Sequence, residues 1–163
     1  MNLYHGSLVT VENPCILPRE PGHTADFGAG FYTTTDRKQA ERWVKIRKGT
    51  DVLQSGFVSE YEVPDNLLSI SELKILTFTG ASEAWLDFVI SNRRDSAFAH
   101  NYDIVYGPVA NDRVYTTISL YEDELLDKQE TISRLKTFVL TDQVLFHTEK
   151  ALSYLTFVRS VKV

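Results

Sequence analysis

Two short segments combine residue types that can bind a small ligand. LYHGS, residues 3–7, places His5 directly before Gly6, and DFGAGFY, residues 26–32, places glycines ahead of Tyr32. A histidine followed by glycine can present an imidazole and an uncrowded peptide group to the same ligand. Tyr32 offers a flat face on which a ring can stack. Together the two segments predict a pocket for a small ligand that carries a ring.

The glycines of the second segment also have a structural interpretation. Gly28 and Gly30 are typical of a bent or bulged strand, in which Phe31 and Tyr32 would be core or interface aromatics. For a glycine-aromatic segment alone, this interpretation is the more common one. The His-Gly pair of the first segment favours ligand binding, in which glycines let a ligand or a neighbouring strand approach the backbone.

The order of these motifs resembles that of a known enzyme superfamily. L-Y-H-G-S, then F-G-x-G-F-Y, then a helix that carries an aromatic, resemble the diphtheria-toxin and poly(ADP-ribose) polymerase branch of the ADP-ribosyltransferases. Segments 85–94, 102–112 and 143–148 look like a bacterial, toxin-like branch. The resemblance is close over the N-terminal third and looser over the last two dozen residues. It implies an enzyme that uses NAD as a substrate.

The resemblance assigns roles to individual residues. His5 would hold the NAD ribose, Gly6 would pair through its backbone with the nicotinamide amide, and Ser7 would contact the adenosine-side ribose. Tyr32 and Trp43 would sandwich the nicotinamide ring, with Trp43 standing where the superfamily usually has tyrosine. An indole stacks as well as a phenol does.

Gly30 joins the expected NAD site as part of the glycine-aromatic motif. The pyrophosphate of NAD would favour a bidentate donor, and Arg93 is the candidate, with Arg94 beside it. Cleavage of the nicotinamide–ribose bond needs little acid help, because the leaving group is cationic and departs neutral. Orientation and electrostatic stabilisation of an oxocarbenium-like sugar therefore suffice, and no metal is expected.

A third position of the superfamily, usually glutamate on a late strand, falls on Asp142 or Gln143. Side chains alternate along a strand, so these two lie on opposite faces and only one can serve. Gln143 is the closer isostere, whereas Asp142 keeps the charge but is one methylene shorter. The resemblance favours Gln143, which gives Gln143, His5 and Tyr32 as the catalytic residues. Loss of the glutamate goes with mono-ADP-ribosylation rather than polymer growth.

A polar cluster in the middle of the chain has two interpretations. It is either a face toward NAD or substrate, or a set of turn caps around Gly107-Pro108 with arginines that solvate a helix end. Its members are Asn92, Arg93, Asp103, Asn111 and Asp112. Three histidines are expected to be structural: His23 and His100 as loop residues and His147 as a helix-cap neighbour.

The hydrophobic periodicity predicts strands and helices without strict βαβ alternation, which favours an α+β fold. The pattern predicts helices from Asp36 to about Gly49, from Ser82 to about residue 95, within 122–136, and after Thr148. It predicts strands within 3–11, near Phe31, and within 57–63, 104–106, 138–146 and 156–163, with 69–76 a short helix or a strand. Given the resemblance, we expect one domain over residues 1–163, with split antiparallel β-sheets flanked by helices.

Composition limits the partners. A formal net charge of −5 gives no global cationic field for nucleic acid or anionic lipid. The single cysteine, Cys15, and the absence of zinc-site spacing favour a reducing compartment, and no segment resembles a signal peptide or a membrane span. We therefore expect a cytoplasmic protein with no membrane partner.

These expectations converge on an NAD-dependent mono-ADP-ribosyltransferase with a macromolecular acceptor, either protein or nucleic acid. Small proteins of this type resemble toxins of toxin–antitoxin or defence modules, so an antitoxin partner is expected. The alternatives are a catalytically impaired NAD-binding protein and an RNA 2'-phosphotransferase-like protein. The scarcity of arginines argues against the second alternative.

Overall fold

The seven strands of the computed structural model, which describes residues 1–18 and 25–163, form two open sheets. His23, predicted to lie in a loop, falls outside the described residues. The first sheet is antiparallel throughout. In spatial order it contains β1 (Asn2–Ser7), β3 (Phe57–Glu62) and β7 (Thr156–Lys162).

The second sheet has four strands. In spatial order they are β2 (Phe31–Thr33), β6 (Asp142–Phe146), β5 (Ile104–Pro108) and β4 (Ile75–Thr77). The pairs β2–β6 and β6–β5 are antiparallel, whereas β4 and β5 are parallel. The predicted α+β class and the two sheets are therefore confirmed, and the edge strand β4 departs from the antiparallel pattern.

Five helices accompany the sheets within the described residues. They are α1 (Arg37–Lys48), α2 (Glu83–Arg94), α3 (Asp112–Glu122), α4 (Lys128–Leu135) and α5 (Glu149–Leu152). Asp36, Ser82 and Thr148 cap α1, α2 and α5 as predicted, each accepting a hydrogen bond from a backbone N–H of the first turn. No helix in this part of the chain is long and apolar enough to cross a membrane.

Helix α3 lies where the sequence pattern predicted no helix. The ends of two strands also differ from the prediction. The first strand was predicted within residues 3–11, but β1 ends at Ser7, with Gly6 and Ser7 paired opposite Val58 and Phe57. Gly107-Pro108 was predicted to end the preceding strand, but it pairs with Gln143 and Asp142 of β6. Proline is tolerated there because the last residue of a strand need not donate to the ladder.

The alternating side chains of β6 divide the interior into two hydrophobic clusters. Val144 and Phe146 pack in the cluster around Leu3 and Tyr61, and Leu145 packs in the cluster around Trp85. Trp85 is fully buried and belongs to the core. The same alternation sends the two polar residues at the start of β6 to opposite sides of the sheet.

Helix α1 lies directly against β1 because Gly6 has no side chain. A Cβ at this position would lie 2.0 Å from the carbonyl oxygen of Ala40 and 3.1 Å from Val44 Cγ2. Ala40 and Val44 form the buried face of α1 together with Gln39. The contact sets how closely the rest of α1, including Trp43, approaches the strands.

We expect Gly6→Ala to lower the free energy of unfolding by about 3 kcal/mol, because the new methyl group must push α1 away from β1. Urea denaturation measures the change. Gly80→Ala is the matched control, since a Cβ there meets nothing within 4 Å and should change stability by no more than about 0.5 kcal/mol. Equal stability of the two variants would contradict the proposed packing constraint.

Candidate active site

A cleft of about 430 Å³ lies among β2, α1, the start of α3 and β6. Its volume is in the range of sites that bind small molecules. Three residues predicted to bind or act on NAD line it together: Tyr32, Trp43 and Gln143. Arg42 and Arg47 of α1 also line the cleft.

Tyr32 is held by both ends of its side chain. Its backbone belongs to β2, opposite Leu145 of β6. Its hydroxyl accepts a hydrogen bond from Phe27 N at 3.1 Å and donates one to Gly28 O at 2.6 Å. Gly28 has φ of +94°, a left-handed conformation that lets the preceding chain turn back toward the hydroxyl. The ring orientation at the cleft is therefore fixed by the protein.

Trp43 lines the cleft from α1, where it directly precedes Val44 of the buried face. Val44 is fully buried, whereas Trp43 is half-buried and Ile46 is exposed. The helix thus presents an aromatic ring and two arginines to the cleft while it packs on β1. This position follows from the amphipathic pattern predicted for residues 37–48.

His5 is buried behind the backbone of Tyr32. Its Nδ1 lies 2.7 Å from Tyr32 O, and its ring centroid is 4.4 Å from that of Phe31. Burial lowers the pKa of His5 to about 4, assisted by the charge of Arg47 and opposed by the Tyr32 carbonyl. The imidazole is therefore neutral near pH 7. Because a carbonyl oxygen can only accept, Nδ1 carries the proton and Nε2 is the acceptor.

Three more residues of the predicted NAD site, Gly6, Ser7 and Gly30, make structural contacts. The carbonyl of Gly6 accepts a hydrogen bond from the Arg47 guanidinium. Ser7 Oγ donates to Val9 O at 2.5 Å. Gly30 has φ of +143°, and a Cβ there would lie 2.4 Å from Phe146 O. Gly30 thus lets the neighbouring strand approach the backbone, one of the two approaches that these glycines were predicted to allow.

Gln143 and Asp142 face different clefts. Gln143 is buried on the side of Tyr32 and Trp43. Asp142 accepts hydrogen bonds from Thr34 Oγ1 at 3.0 Å and Thr35 N at 2.8 Å, and it lines a separate cleft of about 340 Å³. The geometry therefore associates Gln143, not Asp142, with the aromatic cleft.

The buried partner of Gln143 is Asp26, a residue that the sequence pattern did not mark as functional. Asp26 Oδ2 accepts from Gln143 Nε2 at 2.8 Å and from Ala110 N at 3.2 Å, and Oδ1 accepts from the Tyr115 hydroxyl at 2.9 Å. Burial raises the pKa of Asp26, while these donors and Arg93 oppose the shift. The local signal for this contact was Asp26 itself, the first residue of DFGAGFY. Its partner Tyr115 lies on α3, a helix that was not predicted.

Arg93 is not among the described residues that line the cleft. Its guanidinium carbon lies 4.4 Å from the centroid of the Tyr115 ring, a cation–π contact, and its Nη1 is buried without a hydrogen-bond partner in the described part of the chain. Arg93 thus supports the side chain that holds Asp26. Its neighbour Arg94 is exposed and pairs with Glu122 at 3.3 Å.

The predicted polar cluster is divided between two roles. Asn111 caps α3 by accepting from Val114 N, and it lines the cleft together with Asp112. Asp103 accepts from Lys74 N at 2.8 Å and Thr148 Oγ1 at 2.7 Å, which is a structural connection. Asn92 is buried and donates to Phe88 O.

Two histidines hold the backbone that precedes β2. His100 Nε2 lies 2.8 Å from Phe27 O, and His147 Nδ1 lies 2.6 Å from Ala29 O. Their ring centroids are 4.3 Å apart. Both contacts are to the backbone, in keeping with the structural roles predicted for His100 and His147. Among the residues that the structure describes, no group of three His, Cys, Asp or Glu could hold a metal ion.

The chain belongs to the family described as "Protein of unknown function (DUF3990)", which it matches over residues 1–157. No curated protein and no solved structure matches the chain. The geometry of the cleft is therefore the basis for a functional proposal.

Acid should destabilise the fold through His5. Its pKa is about 4 in the folded protein against 6.5 for an unperturbed histidine, so stability is lost as the pH falls from 6.5 toward 4. Linkage gives a loss of about 2 kcal/mol in the free energy of unfolding between pH 7 and pH 5. Urea denaturation of His5→Gln, which keeps an N–H for Tyr32 O, should show a loss smaller by that amount. An unchanged pH dependence would contradict a neutral, buried imidazole.

Proposed function

We propose that the protein is an NAD-dependent mono-ADP-ribosyltransferase whose reaction takes place in the cleft of Tyr32, Trp43 and Gln143. The observation that carries the proposal is that these three residues, from β2, α1 and β6, line one cleft. They are the residues that the sequence resemblance assigns to ring stacking and to the reacting sugar. Gln143 is about 100 residues away from Tyr32 and Trp43 in the sequence, so the fold, and not sequence proximity, brings it to the same cleft.

Two aromatic side chains at the cleft provide a clamp for the nicotinamide ring. Tyr32 is fixed through its hydroxyl and Trp43 through α1. A clamped ring aligns the glycosidic bond, and alignment contributes much of the rate in a reaction that needs little acid catalysis. When the bond between ribose C1' and the ring nitrogen breaks, its electron pair goes to that nitrogen, and neutral nicotinamide leaves.

The sugar then carries positive charge and is attacked by the acceptor, which loses a proton. The resemblance assigns the NAD ribose to His5, whose neutral imidazole has Nε2 as its acceptor, but His5 is buried and is not among the described residues that line the cleft. Gln143 would hold a ribose hydroxyl through Oε1 and so orient the sugar during bond cleavage. Neither role requires a proton to be transferred to the leaving group.

The phosphates of NAD would meet Arg42 and Arg47 rather than Arg93. Both arginines line the cleft, and a guanidinium binds a diphosphate in a bidentate manner. Arg42 donates to Gln39 Oε1 at 2.6 Å and Arg47 to the Gly6 carbonyl. Arg47 therefore competes with the nicotinamide amide for the Gly6 carbonyl.

We further propose, from the sequence resemblance, that the protein is a bacterial toxin of a toxin–antitoxin or defence module and acts in the cytoplasm on a protein or nucleic-acid acceptor. An antitoxin protein would be its natural partner. The net charge of −5 argues for an acceptor recognised by local contacts rather than by long-range attraction of a polyanion.

The wild-type chain should release nicotinamide from NAD, measured by chromatography with a lysate as the source of acceptor. Tyr32→Ala and Trp43→Ala should each lower kcat/KM by about ten- to hundredfold, because stacking of a ring on an aromatic contributes about 1–3 kcal/mol. Tyr154→Ala, a half-buried tyrosine outside the cleft lining, is the matched control and should keep full activity.

Two other results would replace this proposal. Binding of NAD without release of nicotinamide would indicate a catalytically impaired NAD-binding protein. Removal of the 2'-phosphate from a phosphorylated RNA in the presence of NAD would indicate a 2'-phosphotransferase.

Arg47→Met should bind free nicotinamide more tightly than the wild-type chain does. Nicotinamide has no phosphate, so Arg47 acts on it only as the competitor for the Gly6 carbonyl. A hydrogen bond of this kind contributes about 1 kcal/mol, which corresponds to about fivefold in Kd. Titration calorimetry measures the Kd, and Arg42→Met, which leaves Gly6 untouched, is the control. Weaker binding by Arg47→Met would place nicotinamide elsewhere.

A further inference from the structure

The side-chain amide of Gln143 is held in one orientation by the protein. The same amide group lies 2.8 Å from Asp26 Oδ2 and 3.1 Å from Pro108 O. The carbonyl oxygen of Pro108 can only accept a hydrogen bond, so the atom facing it must be the NH₂ group. Both amide hydrogens are thereby used within the protein, and Oε1 is the atom left to interact with a ligand.

Asp26 is itself fixed on both oxygens. Oδ2 accepts from Ala110 N as well as from Gln143, and Oδ1 accepts from the Tyr115 hydroxyl. Asp26 is 6% exposed, and Tyr115 is in turn packed against Arg93. A buried carboxylate with three donors is a rigid acceptor, because each hydrogen bond opposes its rotation.

We infer that Asp26 is a positioning residue that holds Gln143 Oε1 toward the cleft as an acceptor for a ribose hydroxyl of NAD. This inference depends on the function proposed above. Asp26 also lines the cleft, and its part in the reaction is to bind the NH₂ end of the Gln143 amide. The pair Asp26–Gln143 thus presents an acceptor oxygen at the position where the superfamily usually has a glutamate.

The same contacts explain why glutamine, and not glutamate, fits position 143. A carboxylate there would place a second oxygen where Nε2 now lies, 2.8 Å from Asp26 Oδ2 and 3.1 Å from Pro108 O. Both neighbours are acceptors, so the contact would become repulsive. Gln143→Glu, which introduces the usual residue of the superfamily, should therefore lower activity rather than raise it.

The experiment is a double-mutant cycle on nicotinamide release. Asp26→Ala and Gln143→Ala should each lower kcat by about 10- to 100-fold, since a misplaced reacting group costs this much, while the KM for NAD changes little. Asp26→Ala/Gln143→Ala should be no slower than Gln143→Ala alone, because Asp26 acts only through Gln143. Asp26→Asn keeps an acceptor for Gln143 and Ala110 N and should retain kcat within about threefold, compared with a loss of at least tenfold in Asp26→Ala.

A spectroscopic measurement separates this inference from the proposed function. The two side-chain amide protons of Gln143 should be resolved and protected from exchange in NMR spectra of the wild-type chain and of Asp26→Asn, and should lose protection in Asp26→Ala. Losses that multiply in the double variant, or full activity in Asp26→Ala or Gln143→Glu, would overturn the inference. If the amide protons are protected but the wild-type chain releases no nicotinamide, the proposed function and the role of Asp26 in it are wrong. Only the hydrogen bond between Asp26 and Gln143 is then supported.

Discussion

The hydrogen bonds of the buried carboxylate of Asp26 connect the parts of the chain that form the cleft. They join the segment before β2 to the start of α3 through Ala110 and Tyr115, and to β6 through Gln143. A buried carboxylate without partners would cost several kcal/mol, so these three donors are a requirement of the fold as well as of the site. The segment, the helix and the strand can therefore not move independently without exposing an unpaired charge.

Strand β6 connects this hydrogen-bond network to both sides of the sheet. Its alternation sends Leu145 and Gln143 to the side of Asp26, and Val144 and Asp142 to the other side. The glycine before β2 serves the same strand, since a side chain on Gly30 would collide with Phe146 O. The segment DFGAGFY thus contributes both to close strand packing and to a polar cleft. The ligand-binding and structural interpretations of its glycines are therefore compatible.

The local signals of the sequence predicted the local structure well. Asp36, Ser82 and Thr148 each place a side-chain acceptor before an amphipathic segment, and each begins a helix. Strand alternation alone separated Asp142 from Gln143. The parallel pairing of β4 with β5 and the helix α3 were not predicted, because the first is a long-range choice and the second begins in a segment that has the composition of a turn.

Long-range contacts also explain what was missed at the site. Asp26 and Gln143 are distant in sequence, and nothing local to either residue indicates the other. Arg93 was predicted to bind the pyrophosphate because a guanidinium is a bidentate donor, but its guanidinium lies over the ring of Tyr115. The arginines at the cleft come instead from α1, where their spacing indicates an ordinary solvated face.

The charges that line the cleft bear on which ligand groups it can bind. The chain is acidic overall, yet Arg42 and Arg47 stand together at one wall, each already bound to an oxygen of the protein, Gln39 Oε1 and Gly6 O. A phosphate can replace the neutral Gly6 oxygen with a charged acceptor, and it can bind a guanidinium in a bidentate manner. Under the proposed function, exchange of Arg47 from Gly6 to a phosphate would free the Gly6 carbonyl for the nicotinamide amide. The proposal therefore predicts that a ligand with both a flat polar ring and a phosphate binds more tightly than either group alone.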